Sequence, residues 1–523
     1  MIGHGRGLPF PERTPNCPEP EGRTVIIQSD PSARSARPKR FDRNLIVIGG
    51  GAAGLVSAYM AAATKAKVTL IEAGAMGGDC LNTGCVPSKA LIRSAKLAHE
   101  MRKAGDFGIT PVEPQIDFAA VMDRVAGVVD KIAPHDSVER YTDLGVEVLA
   151  GYARLVTPWE VEIALTDGST QRLTARSVII ATGAAPVVPD LPGIKDVGAL
   201  TTETLWDAMR GRDKAPKFMT VLGGGPIGVE LAQAFQRLGS HVTLVEMVPH
   251  LLMREDIEVS DHVRMALERD GVEVLTGHVA KACGTGHGEK WLELEHESEK
   301  RRIVFDELLV AVGRAPRLDG LGLQELGLLQ GRRIETNEYL QSPHPDIYLA
   351  GDVAGRYQFT HTAAHEAWFA SVNALFGKVK RFKVDYRVIP AATFCDPEVA
   401  RVGLTEREVE AQGIDYEVTR YGIDDLDRAI ADGSAEGFVK VITPRGKDRI
   451  LGVTIVGTHA ADLIAEFVLA MKHGLGLNKL LSTLHIYPTL AEANKYAAGE
   501  WRRAHINARL LGLVERFHRW RRG

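Results

Sequence analysis

Residues 41–74 read FDRNLIVIGGGAAGLVSAYMAAATKAKVTLIEAG, and the succession of apolar run, glycine turn, helical stretch and second apolar run decides the fold. LIVIG is short and β-branched, which predicts a buried strand of a parallel sheet; Leu55 to Lys65 has helical character, and KVTLIEA predicts the next strand. Gly49, Gly51 and Gly54 have the G-x-G-x-x-G spacing. In such a turn the first glycine permits the tight bend, the second lets backbone approach a pyrophosphate, and the third lets the helix pack on the strand. The helix N-terminus adds unpaired N–H groups and the positive end of a dipole for phosphates. Glu72 closes the second strand, where a carboxylate can accept hydrogen bonds from a ribose diol.

The same grammar returns roughly 170 residues later. In FMTVLGGGPIGVELAQAFQRLGSHVTLVEMVPHLL (218–252), strand MTVLG precedes Gly223, Gly225 and Gly228, a helix is expected from Ile227 to Leu238, and strand HVTLVE ends on Glu246. Two such units imply two dinucleotides. The carboxylate at Glu246 would repel a 2′-phosphate, so NAD(H) is expected there in preference to NADP(H).

A chain of 523 residues exceeds one hydrophobic core and implies several domains. With 63 basic and 67 acidic side chains and a formal charge of −4, it carries no electrostatic footprint for nucleic acid, and nothing in it reads as a membrane span. Residues 1–42 lack apolar periodicity and are expected to be a disordered extension. They hold no apolar stretch of the ~7 to 15 residues a secretory leader needs, and Glu12, Glu19 and Glu21 oppose an organelle presequence, so a reducing cytoplasm is expected.

Against that background the spacing of Cys80 and Cys85 in GGDCLNTGCVPSKALI (77–92) is unusual, since the chain has only five cysteines. On a regular helix the two would be displaced by about 7.5 Å along the axis, so a bridge needs Cys80 in a distorted or pre-helical segment, which Gly84 makes cheap. So short a loop would stabilise the fold by only about 2 kcal/mol. A zinc half-site or two unrelated buried thiols are the other readings; no second Cys/His pair follows nearby, and no metal ligand set is expected.

Taken together with SVIIATGAAPVVPDLPG (177–193), LLVAVGRAPRLDGLGL (308–323), IYLAGDVAG (347–355) and TFCDPEVARVGLTE (393–406), this stretch resembles the class I pyridine nucleotide-disulfide oxidoreductases, in the branch of mercuric reductases and dihydrolipoyl dehydrogenases. The resemblance runs from about Asn44 to Gly499. It implies an α/β fold of two Rossmann-like domains, for FAD and NAD, and a C-terminal α+β dimerisation domain. The implied boundaries are 43–195 with 311–385 for FAD, 196–310 for NAD(P), 386–500 for dimerisation and 501–523 for a basic tail. It also implies a homodimer passing electrons from nicotinamide through FAD to a Cys80–Cys85 disulfide and on to a small-molecule acceptor. Cys80 would meet the acceptor and Cys85 the flavin. Lys89, paired with Glu230, would lie beside the flavin ring. Gly78, Thr182, Gly183, Gly351 and Asp352 would join Gly49, Gly51, Gly54 and Glu72 around FAD, and Gly313 would join Gly223, Gly225, Gly228 and Glu246 around NAD. A helix from Thr362 to Phe376 would aim its N-terminus at the flavin.

The sequence departs from the disulfide-reducing pattern in STLHIYPTLAEANKYAAGEWRR (482–503). Those enzymes read His-Pro-Thr-x-x-Glu; Glu492 is in place here, but Tyr487 stands where the histidine would. Tyrosine titrates near about 10 against about 6.5 for histidine, a poor proton shuttle at neutral pH. Alternation in an extended segment would put His485 on the same side as Tyr487, as a substitute. The acceptor is thus left open between lipoamide or another disulfide, a metal ion and a quinone, and a non-enzymatic flavin redox sensor or membrane-associated scaffold stays as an alternative. In the tail, Leu510, Leu511, Val514, Phe517 and Trp520 form an apolar stripe edged by Arg509, Arg516, Arg519, Arg521 and Arg522, suited to packing on the dimer or to peripheral contact with an acidic membrane.

Overall fold

The computed structural model describes residues 37–523, so most of the extension expected over 1–42 lies outside the described residues. Leu45, Ile46, Val47 and Ile48 are buried on both faces, as a central parallel strand demands. Their strand, Arg43–Ile48, lies between Val68–Glu72 and Thr170–Ile180; Glu147–Thr157 extends the parallel sheet on one side and Ile347–Leu349 on the other. The chain therefore leaves this sheet after residue 180 and re-enters it at residue 347. A second parallel sheet, ordered Glu307–Val310, Phe218–Leu222, His241–Glu246, Glu273–Thr276, repeats the arrangement. The third sheet is antiparallel, ordered Pro390–Thr393, Glu398–Gly403, Gly452–Gly457, Phe438–Pro444, Tyr416–Gly422.

The helices that shape the site start at the carboxyl ends of strands. Helix α1 (Ala52–Ala63) follows the first strand, and α2 (Gly78–Asn82) and α3 (Cys85–Arg102) follow the second. Helix α4 (Pro226–Arg237) is the counterpart of α1 on the second sheet, α5 (Thr360–Phe376) follows the returning strand, and α6 (Ala508–Arg522) ends the chain. Helix α5 begins two residues before the expected Thr362, which brings Thr360 into its first turn. Ala53, Ala58, Ala61 and Ala62 of α1 share a core with Ala363, Ala367, Ala370 and Ala374 of α5, and small side chains on both faces let the helices approach closely.

The first and third glycines of each triplet are enforced by backbone contact. A Cβ on Gly49 (φ +107°) would lie 2.4 Å from Ala181 O, and one on Gly223 (φ +112°) 2.5 Å from Ala311 O. At the third position a Cβ on Gly54 would fall 1.7 Å from Gly49 O and one on Gly228 1.9 Å from Gly223 O. The third glycine thus makes room chiefly for its own turn; the neighbouring strand, through Val47 Cγ1, is 3.5 Å away from that Cβ.

Lys440 fastens the third sheet to the second nucleotide-binding unit. Only 1% exposed, its Nζ lies 2.6 Å from Asp256, 2.5 Å from Glu258 and 2.9 Å from Glu406. Replacing it with methionine leaves three carboxylates around an apolar chain. Lys440→Met is expected to cost about 3 to 5 kcal/mol, read as a lowered urea midpoint, whereas an exposed control such as Arg445→Met should stay within about 1 kcal/mol of the parent.

Candidate active site

Helices α1 and α4 begin alike. Gly51 and Gly225 are their N-caps with nearly the same backbone (φ −81°, ψ −173° and φ −76°, ψ −179°), and no side chain caps either end. The first-turn N–H groups are left for an anion. Glu72 accepts from Gly50 N through Oε2 and from Gly74 N through Oε1 at 2.6 Å. Glu246 repeats this, accepting from Gly224 N at 2.7 Å and Val248 N at 2.9 Å. Each carboxylate is held at its loop and keeps lone pairs for a ribose hydroxyl.

Around the first loop, Gly78 abuts Gly51 so closely that a Cβ on Gly78 would lie 2.6 Å from Gly51 Cα. Thr182 Oγ1 donates to Arg317 O at 2.7 Å, and Gly183 follows at φ +71°. Gly313, at φ +138°, accepts from Val187 N at 2.9 Å near the second loop. Gly351 N donates to the buried Glu366 Oε2 at 2.8 Å and turns the chain into Asp352. Burial pushes Asp352 up to about 6 against the pull of Arg314, whose Nε is 3.8 Å from its Oδ2. Burial likewise raises Glu366 to about 7, where Tyr386 Oη donates to it at 2.6 Å. An uncapped helix terminus, a ribose-level carboxylate and a further carboxyl along the same edge of the sheet fit FAD.

The break at Thr83–Gly84 sets Cys80 in α2 and Cys85 at the start of α3, so the two are not on one helix. Both are thiols here. A hydrogen bond between the two sulfurs pulls Cys85 down to about 6 and pushes Cys80 up, so Cys85 is the sulfur favoured as thiolate. Burial opposes the lowering of Cys85, while Thr360 and Lys89 support it. Thr360 Oγ1 stands 3.5 Å from Cys85 Sγ. One turn beyond Cys85, Lys89 Nζ meets the buried Glu230 of α4 at 2.7 Å. On the other side, Arg314 pairs with Asp79, next to Cys80, and reaches towards Asp352.

The C-terminal residues are arranged differently from the sequence reading. His485 does not lie on the same side as Tyr487: its side chain turns inward, with Nε2 2.9 Å from Glu466 Oε1 and Nδ1 3.1 Å from Thr483 O, so both ring nitrogens are occupied. The segment is irregular rather than extended, and Glu466, which also accepts from Asn494 Nδ2 at 2.9 Å, draws the imidazole in. Tyr487 is 65% exposed and donates to Asp427 at 3.0 Å, which raises its pKa further. Glu492 is buried and accepts from Tyr496 Oη at 3.3 Å. Within one chain, neither Tyr487 nor Glu492 hydrogen-bonds the thiol pair. Thr360, Arg314 and Asp427 escaped the sequence reading; only Arg314, inside VGRAP, stood in a stretch singled out there.

Comparison with known proteins agrees with this geometry. Residues 43–367 match the family described as pyridine nucleotide-disulphide oxidoreductase, and 389–498 match its dimerisation domain. A dihydrolipoyl dehydrogenase of Thermus scotoductus is 38% identical over 470 residues, covering 88% of this chain and 97% of its own. A mercuric reductase of Bacillus cereus is 34% identical over 459 residues, covering 87% and 71%. Among solved structures, LpdA of Mycobacterium tuberculosis (27% identity, TM-score 0.78) and the Cu(II) complex of the HOCl-induced flavoprotein disulfide reductase RclA of Escherichia coli (25%, TM-score 0.77) each cover 87% of this chain and 99% of their own.

The asymmetry of the thiol pair has a direct test. In reduced, flavin-free protein, alkylation of Cys85 followed by peptide mass spectrometry should rise through a midpoint near pH 6, because the reactive thiolate dominates above the lowered pKa, while Cys80 remains a thiol past neutrality. Thr360→Val removes a hydrogen bond to the thiolate and should move the Cys85 midpoint up by about one unit.

Proposed function

We propose a function from the premise that this chain belongs to the class I pyridine nucleotide-disulfide oxidoreductase family. It is an FAD-dependent oxidoreductase with a redox-active dithiol, and its dimerisation domain makes it a homodimer. Bound FAD supplies the conversion between hydride from a nicotinamide and an electron pair delivered to a disulfide, which with the hydride's proton gives one thiol and one thiolate. The observation that carries our assignment of Cys80 and Cys85 to that disulfide is their placement: Cys80 lies in α2 and Cys85 opens α3 across the break at Thr83–Gly84, with Thr360 Oγ1 3.5 Å from Cys85 Sγ and Lys89 one turn further along α3. Cys85 is the flavin-side sulfur, Cys80 hands electrons to the acceptor, Lys89 holds positive charge at Cys85, and Glu230 anchors Lys89. Gly49, Gly51, Gly54, Glu72, Gly78, Thr182, Gly183, Gly351 and Asp352 would hold FAD; Gly223, Gly225, Gly228, Glu246 and Gly313 would hold the nicotinamide dinucleotide. We divide the chain accordingly into 43–195 with 311–385, 196–310 and 386–500. Glu246 favours NADH, since its carboxylate repels a 2′-phosphate.

For the acceptor we favour a metal cation over a disulfide. Reducing a disulfide requires an acid to protonate the departing thiolate. Here the histidine position is Tyr487, whose proton is tied to Asp427, and His485 is occupied by Glu466. A cation bound between the two sulfurs would be reduced by electrons delivered through FAD and leave both thiolates on the protein, so no substrate thiolate departs to be protonated. We place the protein in a reducing cytoplasm, where such thiols persist.

Anaerobic NADH should raise a long-wavelength thiolate-to-flavin band in the purified flavoprotein; bound FAD without such a band would sink the assignment of the thiols. In steady state, Hg(II) or Cu(II) should be turned over at least tenfold faster than lipoamide or glutathione disulfide, and NADH preferred to NADPH; efficient lipoamide turnover that Tyr487→Phe abolishes would reverse our choice of acceptor.

A second reading concerns α6. Its apolar residues Leu510, Leu511, Leu513, Val514, Phe517 and Trp520 are all exposed, and its five arginines face a single acid, Glu515. No helix among the described residues is long and apolar enough to cross a membrane. The charge favours an acidic lipid surface with the helix lying in its plane. Co-sedimentation with vesicles containing phosphatidylserine should weaken with salt and vanish on truncation after His505, with ferricyanide reduction by NADH unchanged; retention of binding by the truncated protein would exclude the helix as the contact.

A further inference from the structure

We propose that Phe394 is a positioning residue for electron transfer: with its backbone N–H and the face of its ring it fixes Glu230 and Lys89 so that the ammonium stays at Cys85. The inference rests on the role proposed above for Cys85. Phe394 directly follows the strand Pro390–Thr393 of the third sheet, far in sequence from both partners. Its N–H donates to Glu230 Oε1 at 2.9 Å, which leaves Oε2 for Lys89 Nζ at 2.7 Å. The same ammonium lies 4.5 Å from the centroid of the Phe394 ring. One residue therefore orients the carboxylate and offers the ammonium a second, aromatic wall.

The segment is held in place independently of Lys89. Gln233 Oε1 accepts from Asp396 N at 2.8 Å, Gln233 Nε2 donates to Asp396 O at 2.9 Å, and Arg237 Nη1 donates to Asp396 Oδ2 at 2.9 Å. Glu230, Gln233 and Arg237 stand three and four residues apart along α4, so one helix face grips residues 394–396. Lysine without such walls has a flexible four-carbon stem, and a cavity of about 70 Å³ bordered by Lys89, Glu230, Phe394 and Cys395 gives it room to swing. The groups that face Cys85 are Cys80 from α2, Thr360 from α5, Lys89 on its own helix, Glu230 from α4 and the carboxyl of Asp352. Lys89 is the cation among them, so its position sets the balance.

The test is a pH titration of the long-wavelength thiolate-to-flavin band in the two-electron-reduced, FAD-loaded protein. Phe394→Leu should move the midpoint up by about half a pH unit, while Phe394→Tyr should match the parent. Cyclohexylalanine at 394, which keeps the shape and removes the ring quadrupole, should give the same shift as leucine and guards against a packing defect. Lys89→Met should shift the midpoint further, and adding Phe394→Leu to it should change nothing more. Leucine and cyclohexylalanine variants that titrate like the parent, or a leucine shift that survives in the Lys89→Met background, would overturn the role of Phe394 and leave the thiol assignment standing. A parent protein with bound FAD and no band would overturn both.

Discussion

The contact between Gly54 and the carbonyl of Gly49, repeated between Gly228 and Gly223, is the constraint on which the remainder depends. Because no side-chain atom fits there, only the three glycines 49–51 separate the end of the strand from α1, whose first N–H groups are left uncapped at the sheet edge. That edge also carries Glu72, Thr182 and, through the strand that returns at Ile347–Leu349, Gly351 and Asp352. Residues far apart in sequence arrive together because parallel strands share one carboxyl edge. The cysteines follow from the same geometry: Gly78 must lie against Gly51, which starts α2 and places Cys80 one turn from the loop.

A second layer of specification is electrostatic. Lys89–Glu230 joins α3 to α4, Arg237 joins α4 to both Asp270 and Asp396, and Lys440 gathers Asp256, Glu258 and Glu406 across the seam with the third sheet. Buried pairs of this kind add little net stability, because desolvation offsets their attraction, yet a mispaired charge costs several kcal/mol. Their effect is to admit one docking of the third sheet on the second unit. That docking carries Phe394 to Glu230, so the same charges that orient the units also tune the redox site.

Much of this was legible in the sequence because it is written in local patterns. The glycine triplets, Glu72, Glu246 and the short β-branched runs each obey a rule that operates within about 35 residues. The thiol pair was legible for the same reason, and Gly84 announced the break between α2 and α3. Thr360, Arg314, Asp427 and Phe394 were not, since each acts across more than a hundred residues or on a neighbour that only the fold supplies. His485 misled because alternation holds for a strand, and the chain there is irregular; a carboxylate on another helix, Glu466, decides where the ring points.

The two ends of the electron path differ in how complete they are within one chain. At the donor end the polar groups have partners: Cys85 with Cys80 and Thr360, Lys89 with Glu230, Asp79 with Arg314. At the other end Leu484 and Ile486 are 93% and 79% exposed, flanking a half-buried His485 whose ring is turned inward. Burying two such side chains contributes about 3 to 6 kcal/mol, a strong drive to cover this loop with another protein surface. In a homodimer the natural cover is the second copy, and Tyr487 lies in the segment that would be covered. The acceptor would then meet Cys80 of one chain and Tyr487 of the other. On our proposal for Cys80, a tyrosine held by Asp427 in that place would offer the acceptor a hydroxyl oxygen and little acidity.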